Sequence, residues 1–337
     1  MNESFLILPA VLLAALALVL LLRRRTEGVG IYGYGFIERN GIVISAYLIL
    51  AVGFWVLLMI VLPQLYMVDF SFRHNLPPPQ QGGPEDVHTL DNYRYLLFGP
   101  EGSDQSFNWL HLKIFAKTIV AAVFVTFLDF CLCYPIAYYI AQVATGGKSR
   151  LLFICLLIPF WVNEILRAFA FRIIFGTSGL LNSMLIGLGI LPPDAPIDFL
   201  RADVALFAGL SYAYILMMVF PIYNAIESLD HNQIEAARDL GSPWWRIHWR
   251  VVIPHAKPGI ASGCVMVFML AAGALATPQI LGGPSSLWFT QVIYDQFFQG
   301  FNWPRGSAYA FVLLVSCVIF VMSAMRAFKV NLGDIAR

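Results

Sequence analysis

The chain has 337 residues, a formal net charge of +1, 59% hydrophobic and only 12% charged residues, and a mean hydropathy of +0.73. A soluble domain carries about 45–50% apolar and about 25% charged residues, so a soluble globular enzyme and a disordered chain are both excluded, and no basic excess is present to meet nucleic-acid phosphates. The apolar runs are continuous rather than alternating, which excludes an outer-membrane barrel and leaves an all-α polytopic membrane protein.

A helix crosses about 30 Å of hydrocarbon with about 20 residues. Seven segments are expected to do so: 5–22, 42–62, 114–143, 151–175, 204–226, 260–281 and 306–325. Nothing basic precedes Phe5, and Arg23–Arg25 follow Leu22. A secretory signal has the reverse order, so the first segment reads as a retained helix with its N-terminus outside. With that start, 13 Lys and Arg fall in cytoplasmic segments and 5 in outer ones, and the positive-inside rule gives N-outside, C-inside. The longest outer connection, 63–113, holds Pro77-Pro78-Pro79 and Gly82-Gly83-Pro84 and is irregular in part. It has six acids against three bases, which suits either a structural cap or a docking surface for an external partner. Residues 179–190, closed by Pro192-Pro193, read as a helix lying along the outer interface.

Polar groups inside spans are costly and therefore functional candidates. Lys117 and Arg172 lie near outer ends and are expected to snorkel. Asp129 lies near the middle of span 114–143. Phe160, Glu164, Arg167 and Phe171 follow helical spacing and predict one stripe facing the bundle interior, since charge facing lipid costs at least ~2.5 kcal/mol. Two readings of that stripe stand. Glu164 and Arg167 neutralise each other and lock helices together; or Glu164 or Asp129 meets a cationic substrate, with Phe160 and Trp161 offering ring faces. Gly259 and Gly263 form a GxxxG suited to close helix packing. Gly282-Gly283-Pro284 bends an outer loop, as a plain turn or as a contact for an external protein. Five cysteines all lie in apolar runs and read as buried, inert thiols.

Several motifs fail on inspection. Gly146-Gly147-Lys148-Ser149 has the look of a phosphate loop, but the pattern needs glycine at 142, where Gln142 stands. There is no HExxH and no GxSxG elbow, and the six histidines have no ligand spacing. No catalytic residue, metal site or cofactor is expected in this chain.

The most informative stretch is 227–258, between the fifth and sixth spans on the basic, cytoplasmic side. Asp230 and Gln233 have capping-box spacing, helix formers run to Leu240, and Gly241 suits a helix stop. Ser242 suits the cap of a second helix and Pro243 its first position. Pro254 is expected to end that helix before the next span. Helix, glycine turn, helix is the expected geometry, with small residues Ala236 and Ala237 open to close approach. An interfacial amphipathic linker anchored by tryptophan and arginine would show the same composition.

Glu235, Ala236, Ala237, then Gly241, then Val251, Ile253 and Pro254 resemble the EAA signature of binding-protein-dependent ABC importer permeases, with Val for Ile and Ile for Leu as departures. YPIAYYIA at 134–141, PFWVNEILRAFAF at 159–171, TPQILGGP at 277–284 and NWPRGSA at 302–308 resemble the spermidine/putrescine-type permeases. The similarity covers about 42–327; Glu164 departs from the uncharged residue expected there.

The resemblance implies a six-helix type I importer core plus one extra N-terminal transmembrane helix. Its parts are 1–40 (extra helix and cytoplasmic linker), 41–113 (first core helix and long outer loop), 114–327 (permease core, with the coupling loop at 227–257) and 328–337 (tail). It implies an ATPase-coupling role for Glu235, Ala236, Ala237, Gly241 and Pro254. It implies a translocation path for Phe160, Trp161, Glu164, Arg167 and Asp129, and a binding-protein contact for Gly282, Gly283 and Pro284. The implied partners are a second, homologous permease, two cytoplasmic ATPase subunits that use ATP and Mg, and an extracytoplasmic solute-binding protein, all at a bacterial inner membrane. The implied solute is a polyamine or related organic cation. The alternatives are a non-polyamine solute such as an amino acid derivative, or an ATP-independent secondary transporter.

Overall fold

A computed structural model describes residues 41–80, 83–84, 86–99, 107–283 and 286–329. The expected first span at 5–22, the tail 330–337 and Pro284 lie outside them. Two compact units divide the chain, 1–70 and 71–337.

In the first unit, α1 (Ile42–Val56) passes through a π-turn (Leu57–Val61) into α2 (Leu62–Ser71). The expected end at 62 is therefore overrun. Pro63 has no N–H, and its ring collides with the carbonyl four residues back in a regular helix. The wider π-turn just before it removes that collision and lets the helix continue.

Among the described residues of the second unit the regular elements are helices, apart from one isolated bridge, Arg73–His88. Its helices are α3 (Asp91–Phe98), α4 (Trp109–Tyr138), α5 (Gly147–Trp161), α6 (Glu164–Phe175), α7 (Leu180–Gly187), α8 (Val204–Glu227), α9 (His231–Asp239), α10 (Trp244–Ile247), α11 (Ile253–Ala272), α12 (Ala276–Leu281), α13 (Phe289–Phe298) and α14 (Trp303–Phe328). Six helical stretches among the described residues are long and apolar enough to cross a membrane: Ile44–Ser71, Trp109–Val143, Glu164–Gly187, Val204–Glu227, Trp244–Ala272 and Trp303–Phe328.

Three helices make the core, with α8 packed on both α4 and α11 and those two on each other. On α8, Leu206, Leu210, Tyr214, Met218, Ile222 and Ile226 are all buried, every fourth residue along one face. The facing stripe of α4 is smaller: Thr118, Ala122, Val125, Asp129, Cys133 and Ala137. Lipid is as apolar as leucine, so close packing rather than burial from water holds such helices together, and small residues allow it. Gly259 and Gly263 of α11 do the same against α8. A Cβ on Gly259 would strike the Pro221 carbonyl and lie 2.5 Å from Ala225 Cβ.

Two expected spans are broken. Span 151–175 divides into α5 and α6 at Val162 and Asn163, both extended, because Asn163 caps the new helix by accepting from Ile165 N at 2.9 Å. Span 260–281 stops at Ala272, and Gly273–Leu275 separate it from α12. Two of the thiols expected to be buried, Cys131 and Cys155, instead face outward.

From residue 71 on, the described residues of the outer connection fold together. Asn92 Nδ2 donates to the carbonyls of Ser71 and Arg73 at 3.0 and 2.9 Å, and Arg73 pairs with Asp86 at 2.6 Å. Burial raises the Tyr93 phenol above its ordinary pKa. Arg305 of α14 lies 3.6 Å over the Tyr95 ring, joining this cap to the last helix.

Lys117 is paired. Its Nζ donates to Asp203 Oδ2 and Ser286 Oγ, both at 3.1 Å, tying α4 to the start of α8 and to the α12–α13 connection. Lys117→Met leaves Asp203 without its cation. A hydrogen bond to a charged group is worth about 1.5–3 kcal/mol, and partial exposure of this pair places the loss near the low end. The expected result is a lower midpoint on heating the detergent-purified protein, with α4 and α8 otherwise intact by circular dichroism.

Candidate functional site

The connection from α8 to α11 is a built element. Asp230 caps α9 by accepting from Asn232 N at 3.0 Å. The helix ends in a complete Schellman motif: Gly241 N donates to the Arg238 carbonyl at 2.8 Å and Ser242 N to the Ala237 carbonyl at 3.1 Å. Gly241 holds φ at +72°, a conformation glycine adopts without penalty. Pro243, one residue later than the sequence suggests, is the cap of α10.

Pro254 does not end the second helix. A π-turn, His248–Val252, precedes it, and the helix runs on from Trp244 to Ala272. This is the same accommodation seen at Pro63. The element is thus continuous with α11 on one side and joined to α8 through Ser228–Asp230 on the other.

One residue of α9 seats it: Ile234 is 1% exposed. Glu235 and Ala236 are exposed, Ala237 is half-buried, and Leu240 at the tip is 86% exposed. Glu235 reaches only His231, at 3.3 Å. Ile247 anchors α10, while Trp244, Trp245 and Trp249 stay open. The short helix, seated by Ile234, thus presents an exposed face of small residues around one carboxylate.

Elements on both sides of this connection are tied to α4 by residues that sequence patterns do not expose. Gln142, in the π-turn Tyr139–Val143 that closes α4, donates to the carbonyls of Ile226 and Leu229 at 2.9 and 3.4 Å and accepts from His231 Nδ1 at 3.1 Å. Tyr134 OH and His248 Nδ1 share a hydrogen bond at 2.7 Å, and the Tyr138 ring stands edge-on to His248 at 4.4 Å.

The candidate path residues do not form one stripe. The break at 162–163 puts Phe160 and Trp161 at the end of α5, with Trp161 81% exposed, and Glu164 at the start of α6. Glu164 accepts from Thr277 Oγ1 of α12 at 3.0 Å. Arg167 lies 6.0 Å from the Tyr212 ring centroid, its Nε without a hydrogen bond. Among the described residues Glu164 and Arg167 form no ion pair, so the expected mutual neutralisation is absent; the capped helix start directs Glu164 to α12 instead. Asp129 lies on α4. It is 1% exposed on the buried face of α4, with the Ser211 hydroxyl of α8 beside its carboxylate.

Gly282 and Gly283 close the α12 turn. A Cβ on Gly283 would press on the Arg201 backbone at 3.1 Å, and the two glycines line an open pocket with Arg172, Asp198 and Arg201. Arg172 donates to the Ile280 carbonyl at 2.7 Å. No group of His, Cys, Asp and Glu among the described residues could hold a metal ion.

This arrangement of spans and projecting helices is the fold of an ABC importer's transmembrane subunit. A crystal structure of a bacterial alginate ABC transporter, in complex with a periplasmic protein bound to an alginate pentasaccharide, superposes with a TM-score of 0.65 at 18% identity, over 88% of this chain and 98% of that one. Residues 116–328 match the family described as binding-protein-dependent transport system inner membrane component, and the chain belongs to that family. It is 32% identical to the spermidine/putrescine transport system permease protein PotB of Haemophilus influenzae, over 82% of this chain and 91% of the relative. It is likewise 32% identical to PotB of Escherichia coli strain K12, over 81% and 94%. The protein is therefore a multi-pass inner-membrane permease subunit of an ABC importer, which removes the self-contained secondary transporter.

Proposed function

We propose that this permease imports a polyamine, spermidine or putrescine, or a closely related organic cation. The observation that carries this reading is the 32% identity to spermidine/putrescine permeases across more than nine-tenths of their length. Glu164 supports it: this carboxylate has no arginine partner, it follows exposed Phe160 and Trp161, and cations bind carboxylates and aromatic faces together.

The chain pairs with a second, homologous permease and with two ATPase subunits, which hold the ATP and Mg. A solute-binding protein delivers the cation from outside, docking in part on Gly282, Gly283 and Pro284. Seven spans, with the N-terminus outside and the C-terminus inside, place residues 227–257 in the cytoplasm. There Glu235, Ala236, Ala237 and Gly241 present the coupling surface, and Pro254 lies in the helix that carries its movement into the membrane. Residues 1–40 add one helix to the six-helix core.

Uptake of labelled spermidine and putrescine by cells expressing the full system tests the solute. Accumulation that needs this subunit supports the reading; none, with a different solute accumulating, refutes it. Glu164→Gln separates the two roles of the charge. Uptake about tenfold lower at unchanged assembly is expected. Loss of the assembled complex would instead make Glu164 a structural tie to Thr277.

A further inference from the structure

We propose that Gln142 and His248 are positioning residues that deliver movement of the 231–251 element to α4, the helix bearing Asp129, and not only to the covalently attached α8 and α11. The inference rests on the coupling reading above. Its basis is the pair of ties between α4 and this part of the chain. Gln142 donates to the carbonyl of Ile226, in the last turn of α8, and to that of Leu229 just beyond it, while accepting from His231 in the first turn of α9. His231 in turn meets Glu235, so one chain of contacts runs from an exposed carboxylate to α4. On the other side, His248 is bonded to Tyr134 and packed against Tyr138.

Both ties fall on π-turns, Gln142 within Tyr139–Val143 and His248 at the start of His248–Val252. A π-turn carries one residue more than the helix around it, and such turns are where helices kink and where functional sites are often found. The two ties lie about two helical turns apart on α4, so a tilt of the element becomes a tilt of α4.

The test compares the assembled transporter carrying Tyr134→Phe, His248→Phe, both together, or Gln142→Leu. Each variant keeps apolar or aromatic volume and removes hydrogen bonds. Membrane abundance, ATPase rate with loaded binding protein, and uptake are measured side by side. Expected are abundance and ATPase rate within twofold of wild type and uptake reduced at least fivefold, so that ATP consumed per solute rises by the same factor. The Tyr134→Phe/His248→Phe pair is expected to be no worse than either single variant, because one bond is lost in all three. Uptake and ATPase rate falling together, or both unchanged, overturns the proposal. If a phenylalanine at 248 prevents assembly, Tyr134→Phe, which removes one oxygen, decides alone. Glu235→Arg serves as the control: if it is silent, the coupling reading fails and this inference with it. If Glu235→Arg abolishes uptake while the tie variants are silent, only the inference fails.

Discussion

Replacing Glu235 with arginine is expected to leave the protein in the membrane at normal abundance and to reduce uptake at least tenfold. Glu235 is exposed and contributes nothing to the core; α9 is seated by Ile234. Reversing its charge removes the contact with His231 and presents a cation on the proposed coupling surface. A charge reversal at a protein interface costs several kcal/mol through like-charge contact. Gly241→Asp should have a related effect by another route. Position 241 has φ +72°, which costs an L-residue about 1–2 kcal/mol, and the new carboxylate would face the negative end of α9. Immunoblots of membranes, ATPase co-purification and uptake separate these outcomes. Normal uptake in both variants would show that this surface does not couple.

Gly259→Ala is expected to be among the most damaging single-methyl additions in the protein. The new Cβ would meet the Pro221 carbonyl and Ala225 Cβ, and neither can rotate away. Overpacking costs typically 1–3 kcal/mol, and a backbone obstacle places this case at about 3. Gly263→Ala is the internal comparison. There the nearest atom is Met218 Sδ, at 2.9 Å, the end of a flexible thioether, so about 1 kcal/mol is expected. Yield of monodisperse protein after detergent extraction should fall at least tenfold for the first and less than threefold for the second. Equal yields would mean that α8 and α11 are not packed through Gly259.

The spans were legible where composition alone decides them. Val204–Glu227 lies within a residue of the expected segment, since a continuous apolar run leaves no other helix to draw. Breaks were not legible: Asn163 is one polar residue among apolar neighbours, and only its capping bond to Ile165 turns it into a helix start. The Pro254 stop failed because the rule that proline ends a helix assumes a regular turn before it, and a π-turn supplies the missing room.

The two-helix element shows both sides. Gly241 was readable because a Schellman turn needs glycine at a fixed place after a helix. Its connection to α4 was not, because Gln142 and Leu229 are 87 residues apart, and Tyr134 and His248 are 114 apart. In the sequence Gln142 stands out only as the residue that spoils a phosphate loop. A hydrogen-bonding side chain at the end of an apolar span was the available hint. The Glu164–Arg167 spacing permitted a pair, but spacing says nothing of a competing acceptor or donor, and Thr277 took the carboxylate.

The most direct measurement is a photo-crosslinking amino acid in place of Ala236, introduced into the full transporter in inside-out vesicles. An adduct with the ATPase subunit, lost on adding Glu235→Arg, is the expected result. A probe at 236 that reacts only with reagents or partners from the opposite face of the membrane would contradict the account.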